Sequence, residues 1–149
     1  MNHKILKTTM NLKKYNIKDQ AAAIKYFIEQ MDIEMIEAFL DVNKTYQDMQ
    51  KDIFLSKLNN VFDVFKSSGD TYLVSYQGRC NNCFKNKIGY TFIGNYSFNY
   101  ISIIVDSENG TINDMFECSD FVNNDQYQFL NKKLYIDNMF FDFTLNLKK

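Results

Sequence analysis

The 149-residue chain contains no proline and no tryptophan, only one histidine, and only five glycines. With the single imidazole at His3, a Ser–His–Asp triad has no internal histidine to build on. No Gly-x-Gly-x-x-Gly or Walker-type run occurs, so a phosphate-cradling loop is not encoded. The longest uninterrupted apolar runs are about four residues, as at Ala21 to Ile24, far short of a bilayer span. Met1 to Lys14 is basic but has no apolar stretch, so no secretory signal is expected and the chain reads as cytoplasmic. Charge of one sign is missing too. Lys plus Arg is 17 and Asp plus Glu is 18, leaving −1. That balance gives no footprint for nucleic acid or for an anionic membrane. The basic pairs Lys13-Lys14 and Lys148-Lys149 are too short to make one.

Apolar and aromatic side chains, in contrast, are plentiful. Hydrophobic residues make up 46% and aromatics 16%, with 14 Phe and 10 Tyr, too many for a disordered chain. A chain of this length hides roughly 68–70% of its unfolded surface, enough for one core without staples. The expectation is a flexible leader over 1–15 and a single domain over 16–149.

Glycine placement suggests the order of elements. The first glycine is Gly69, and the others follow at 78, 89, 94 and 110, where turns between strands are needed. Helices are therefore expected first and strands afterwards. A first helix is expected from Asn16, with Asp19 three residues on as an acidic capping partner and Ile24, Phe27, Ile28 and Met31 as its buried stripe. Asp32 can cap a second, with Ile33, Ile36, Phe39 and Leu40 repeating that stripe. Asp41 to Tyr46 reads as a loop or very short strand. A third helix, about Asp48 to Lys66, places Phe54, Leu58, Val61, Phe62 and Phe65 on one side and ends at Gly69.

After Asp70 the period becomes two. Thr71 to Gln77, Ile88 to Ile93, Phe98 to Val105 and Thr111 to Glu117 read as strands, and Asn109-Gly110 marks a tight hairpin. Tyr72, Val74 and Tyr76 share one face of the first strand. A last strand is expected within Lys133 to Leu145. The fold class is α+β: N-terminal helices packed on a curved antiparallel sheet.

Two short helices, a long one and a strand meander, running from Ala22 to about Phe121, resemble the nuclear transport factor 2-like (SnoaL-like) cone fold. The stretches concerned are AAIKYFIEQMDIEMIEAFLD, KDIFLSKLNNVFDVFKSSGD, TYLVSYQG and the hairpins through FECSDF. The resemblance implies a conical apolar pocket between helices and sheet. It leaves function open, because that superfamily includes isomerases, dehydratases, cyclases and non-catalytic binding modules. Its dehydratases use His with Asp, which the position of His3 disfavours. Its ketosteroid-isomerase-like members pair a pocket Asp with a Tyr, and by order along the chain Asp41 and Tyr26 are the matches here. Both also have ordinary structural roles open to them, a helix-end carboxylate and a core-edge aromatic.

Three functions follow as expectations. The first is non-catalytic binding of a small apolar ligand or a protein, in a pocket bounded by Ile24, Phe27, Ile28, Phe54, Leu58, Phe62, Tyr90, Phe92 and Tyr100, with no cofactor. Outward-facing aromatics on the strands would form a homodimer surface on the sheet face. The second is a cofactor-independent isomerase or cyclase using Asp41 and Tyr26. The third is a metal- or redox-responsive module at Cys80-Asn81-Asn82-Cys83. For that last site a flat meander puts Cys118 on the order of 20 Å from the pair, so unmodified thiols are expected and no resident metal.

Overall fold

The structure is a computed structural model that describes residues 19–79, 87–118 and 129–136. The expected 1–15 leader, His3, both terminal lysine pairs, Cys80, Cys83 and most of the expected last strand lie outside those residues.

Three helices precede a four-stranded antiparallel meander. Helix α1 is Gln20–Glu29, and its N-cap is Asp19, whose carboxylate accepts the Ala22 N–H at 2.7 Å. The capping acid therefore serves as the cap itself, three residues later than the composition suggests. Helix α2, Ile33–Phe39, is capped by Asp32 as expected, through the Met35 N–H. The two meet at a tight turn in which Met31 takes a positive φ of 53°.

The segment ahead of the long helix departs from expectation. Thr45–Tyr46 (β1) and Met49–Gln50 (β2) form a miniature hairpin, and helix α3 starts only at Lys51, running to Ser67. The turn residues Gln47 and Asp48 both have positive φ, 51° and 59°. Neither is Gly or Asn, the usual sequence marks of such a turn.

Helix α3 buries Phe54, Leu55, Leu58, Val61, Phe62 and Phe65, a single apolar stripe. It ends in a Schellman motif. Gly69, at φ 98°, donates its N–H to the Lys66 carbonyl, and Asp70 donates to that of Phe65.

The sheet comprises β3 (Leu73–Arg79), β4 (Ile88–Gly94), β5 (Tyr100–Glu108) and β6 (Thr111–Glu117) in sequential order. The β5–β6 hairpin turns on Asn109 and Gly110, both with positive φ as the dipeptide implies. A register shift between Asp106 and Ser107 marks a bulge, where such a sheet bends. Leu73, Phe92, Ile101, Ile103, Val105, Ile112 and Met115 join the helices' apolar faces in one core. Alternation turns Val74, Tyr76, Thr91, Ile93, Tyr100, Ser102 and Ile104 to the other, outer face.

β6 pairs with only the later part of β5, so the early part has a free side. Residues 131–134 fill it: Lys132 O accepts from Tyr100 N–H, and Tyr100 O accepts from Leu134 N–H. Leu134 and Ile136 then enter the core.

Asp70 ties the two halves together. It is 3% exposed, and one carboxylate oxygen accepts the N–H groups of Tyr96 and Ser97 at 2.8 Å while the other accepts the Ser97 hydroxyl at 2.6 Å. The carboxylate lies so close to Gly94 that any Cβ there would overlap it. Replacing Asp70 by Ala leaves the Tyr96 and Ser97 backbone donors without their partner and empties the space of a buried carboxylate. We expect a loss of about 2–4 kcal/mol in urea unfolding, with Asp70→Asn retaining part of it. A loss below about 0.5 kcal/mol would show the turn holding without the carboxylate.

Candidate functional site

The helix–sheet interior, where an apolar pocket was expected, is packed with side chains. Ile24, Phe27, Ile28, Phe54, Leu58, Phe62 and Phe92 are each at most 2% exposed and belong to the one core. Tyr90 packs on that core's margin, with the Lys25 ammonium 5.5 Å from its ring centre. Tyr100 stands on the outer face, opposite Ile93, and so on the other side of the sheet from Tyr90 and Phe92. Burial, more than the neighbouring acids, pushes the Tyr90 hydroxyl above its ordinary pKa. Burial likewise raises that of Tyr100.

Asp41 and Tyr26 occupy separate settings. The Asp41 carboxylate is exposed and accepts the Asn43 N–H at 2.8 Å, a local turn bond. Its own N–H donates to the hydroxyl of Tyr46, a fully buried residue. Tyr26 sits on α1, edge to face with Phe27 and half-buried against the core. The tyrosine bonded to Asp41 is thus Tyr46, through backbone and not through the carboxylate.

Two surface depressions differ in size and chemistry. The larger, about 600 Å³, lies between the α2–β1 loop, the small hairpin and the start of α3. Most of its lining residues are polar or charged by type, among them Glu37, Asn43, Lys44, Thr45, Gln50 and Asp52, with Val42 and Leu55 beside them. The two lysines bordering it are engaged: Lys44 Nζ donates to the Ile112 carbonyl and Lys51 Nζ to that of Leu40, both at 2.8 Å. These are hairpin and helix-end braces.

Asp114 and Glu117 of β6 hold the same hairpin from behind. Asp114 accepts the Gln47 N–H at 3.1 Å, and Glu117 exchanges two bonds with Gln47, one through its carboxylate and one through its N–H. Glu117 also accepts the Ile136 N–H at 2.8 Å. The three bonds to Gln47 tie one of the two positive-φ residues of the turn to β6.

The smaller depression is a notch of about 130 Å³ on the outer face. Tyr72, Val74 and Tyr76 on one side and Ile93, Asn95, Phe98 and Phe129 on the other form its walls. Ile93 makes a buried floor, whereas the rim is open, from 38% exposed at Val74 to 49% at Phe129. Phe98 and Phe129 meet edge to face at 5.7 Å. Phe98 has a φ of 61°, a left-handed conformation that costs a residue with a Cβ roughly 1–2 kcal/mol. Its backbone is held from both sides, N–H to Gly94 O and carbonyl from Asn131 N–H. Sequence periodicity places Tyr72, Val74 and Tyr76 on this face but puts Phe98 in a strand. Phe129 carries no local signal at all.

Cys118 corrects one expectation. It is disulfide-bonded and 1% exposed, in a small cluster with Ile104 and Phe116 on the outer face. The chain's other cysteines are Cys80 and Cys83. Cys118 was placed at the far end of the sheet from them, but its N–H bonds to Ser102 O, and Ser102 is in register with Thr91 and, through it, Tyr76. That row lies only three residues from the end of β3. The staggered start of β6 accounts for the difference. Among the described residues, no cluster of three His, Cys, Asp or Glu side chains could hold a metal, and no helix is long and apolar enough to cross a membrane.

No protein-family model, curated protein or solved structure matches the chain.

Asp114 offers a test of the hairpin brace. Burial outweighs its hydrogen bonds to Gln47 and Met115, so its pKa lies above the ordinary 3.8. The folded state therefore favours the protonated acid. The stability this contributes is complete below the unfolded pKa and lost as pH rises through the folded one. Asp114→Asn keeps an acceptor and removes the ionisation. The variant's urea midpoint should gain on that of the wild type as pH climbs from about 4, and parallel profiles would place Asp114 in solvent-like surroundings.

Proposed function

We propose that this chain is a non-catalytic protein-binding domain whose outer-face notch takes one aromatic or branched aliphatic side chain of a partner. The observation that carries this is Phe98, a bulky residue held at positive φ with its ring left open to solvent. Strain of this kind persists where surrounding structure enforces it, and here the enforcement sets one wall of the notch.

Size separates a protein partner from a small-molecule ligand. Sites for drug-sized molecules span about 300–1,000 Å³ and are mostly apolar. The notch is far smaller, close to the roughly 150 Å³ that holds a single benzene ring, and the larger depression has mixed polar and apolar surface rather than a mostly apolar one. A side chain delivered by a folded or extended partner fits the first. Exposed Tyr and Phe at its rim match the residue types enriched at interface centres.

Helices followed by a meander, with the helices on one face, also support assigning the nuclear transport factor 2-like cone. In this chain the cone's interior is core, so recognition moves outside it.

A random peptide library displayed on phage tests the notch. Selected peptides should share an aromatic or branched aliphatic anchor. Phe98→Gly should weaken them about tenfold or more while urea stability holds or rises, because glycine relieves the backbone. Peptides that bind Phe98→Gly and Phe129→Ala as well as they bind wild type would overturn the assignment.

The disulfide at Cys118 favours a second reading, that the domain responds to redox conditions. Joined to either Cys80 or Cys83, Cys118 closes a loop of roughly 35–40 residues, worth about 4 kcal/mol by chain entropy. Reductant should lower the urea midpoint accordingly, and unchanged unfolding with and without it would remove this reading.

A further inference from the structure

The turn between β5 and β6 is also the seat of α1. Ala21, in the first turn of that helix, donates its N–H to the Gly110 carbonyl at 3.1 Å. The neighbouring Gln20 side chain bridges two further elements. Its Oε1 accepts the Ile112 N–H at 2.7 Å, and its Nε2 donates to the Phe39 carbonyl at the end of α2. Gly110 lies so close to the helix cap that a Cβ placed on it would stand 2.5 Å from that of Asp19. The start of α1 is therefore fitted to the backbone path of this turn, with Asp19 filling the space beside it.

The turn is built from a chemically perishable pair. Asparagine is a thermolabile amide, and a glycine after it leaves the following backbone nitrogen unshielded by any Cβ. Asn109 is exposed, and it is the one asparagine of the chain that precedes glycine. The asparagines of the β4–β5 turn are placed otherwise. Asn95 accepts the Thr71 and Tyr72 N–H groups and donates to the Thr71 hydroxyl, while Asn99 is 6% exposed and bonded to Ser68 and Lys132.

We propose that Asn109 is a site of spontaneous deamidation and that its isoaspartate product unseats helix α1. The Gly110 nitrogen, its proton lost to solvent, attacks Asn109 Cγ. The new N–Cγ bond closes a five-membered succinimide while the Cγ–Nδ2 bond breaks and ammonia leaves. Water then opens the ring at either carbonyl. Opening at Cγ restores the ordinary backbone with an aspartate side chain. Opening at the main-chain carbonyl routes the chain through Cβ and Cγ, as isoaspartate. One water is consumed, one ammonia is released, and no electrons change hands. Isoaspartate adds an atom to the main chain of a two-residue loop whose twist is matched to its strands. The Gly110 carbonyl must then move, Asp19 blocks a shift toward the helix, and the Ala21 N–H loses its acceptor. This turn stands at the opposite end of β5 from Phe98, so the reaction and the notch are separate.

Ageing the full chain in mildly alkaline buffer at body temperature, followed by peptide mapping, tests this. The mass gain of an amide turned to acid should appear first at Asn109, mostly as isoaspartate that an isoaspartyl methyltransferase labels. Asn95 should stay an amide over the same period. In the aged chain, hydrogen exchange at Ala21 should quicken roughly two- to tenfold, the loss of one hydrogen bond of ordinary net strength. Asn109→Gly suits a positive φ and has no amide to lose, so ageing it should leave Ala21 exchange unchanged. Acid appearing at Asn95 or elsewhere before Asn109 would overturn the site. Isoaspartate at position 109 with Ala21 exchange unaltered would overturn its link to α1, as would equal quickening in aged Asn109→Gly.

Discussion

Asp70 is the buried carboxylate at the junction between the end of α3 and the turn of the sheet. Its N–H completes the end of α3, and its carboxylate collects two backbone donors and a hydroxyl from the turn between β4 and β5. Three charge-assisted bonds on a nearly buried carboxylate are stronger than neutral ones and fix direction as well as distance. The angle at which the long helix meets the sheet depends on them. So does the path of the turn from Gly94 to Asn99, and with it the unusual backbone of Phe98. Asn95 and Asn99 extend the same junction, Asn95 accepting the N–H groups of Thr71 and Tyr72 while Asn99 reaches Ser68 and Lys132.

The inner and outer faces of the sheet divide the work. Toward the helices, the face is a dense apolar core with no room for a ligand among the residues expected to line one. Away from them it is graded. Thr91 and Ser102 are fully buried and bonded to each other at 3.0 Å, whereas the β3 side ends in exposed aromatics. Phe98, on that exposed side, breaks a local backbone rule, and breaches of that kind tend to accompany functional or strained sites.

Parts of this arrangement are legible in the amino-acid order because one residue type alone fits the backbone. Gly69 at the end of α3 and Asn109-Gly110 between β5 and β6 are such cases, and Asp32 caps α2 for an equally local reason. The buried stripes of the helices and the two-residue period of β3 are legible through repetition. The hairpin at Thr45 to Gln50 is not, since its turn residue Gln47 is tied by hydrogen bonds to Asp114 and Glu117, some seventy residues on. Ile24, Phe27, Ile28, Phe54, Leu58 and Phe62 share one apolar interior, whereas Tyr100 stands on the outer face, and whether apolar residues line a space or fill it depends on distances that periodicity does not carry. Phe98 and Cys118 depart from expectation for related reasons: a turn held by distant residues, and a β6 that pairs only with the later part of β5.

The bond between Ile112 N–H and Gln20 Oε1 spans 92 positions of sequence, and the Ala21 N–H reaches Gly110 O across nearly as many. Helix α1 is thus synthesised some 90 residues before the hairpin on which its N-terminus is seated. At about 5–20 residues per second, the wait is roughly 5–20 seconds. Ile24, Phe27 and Ile28 are on a nascent chain throughout that interval without the completed sheet to cover them. The domain's own architecture makes its first helix a client for whatever shields apolar segments during synthesis.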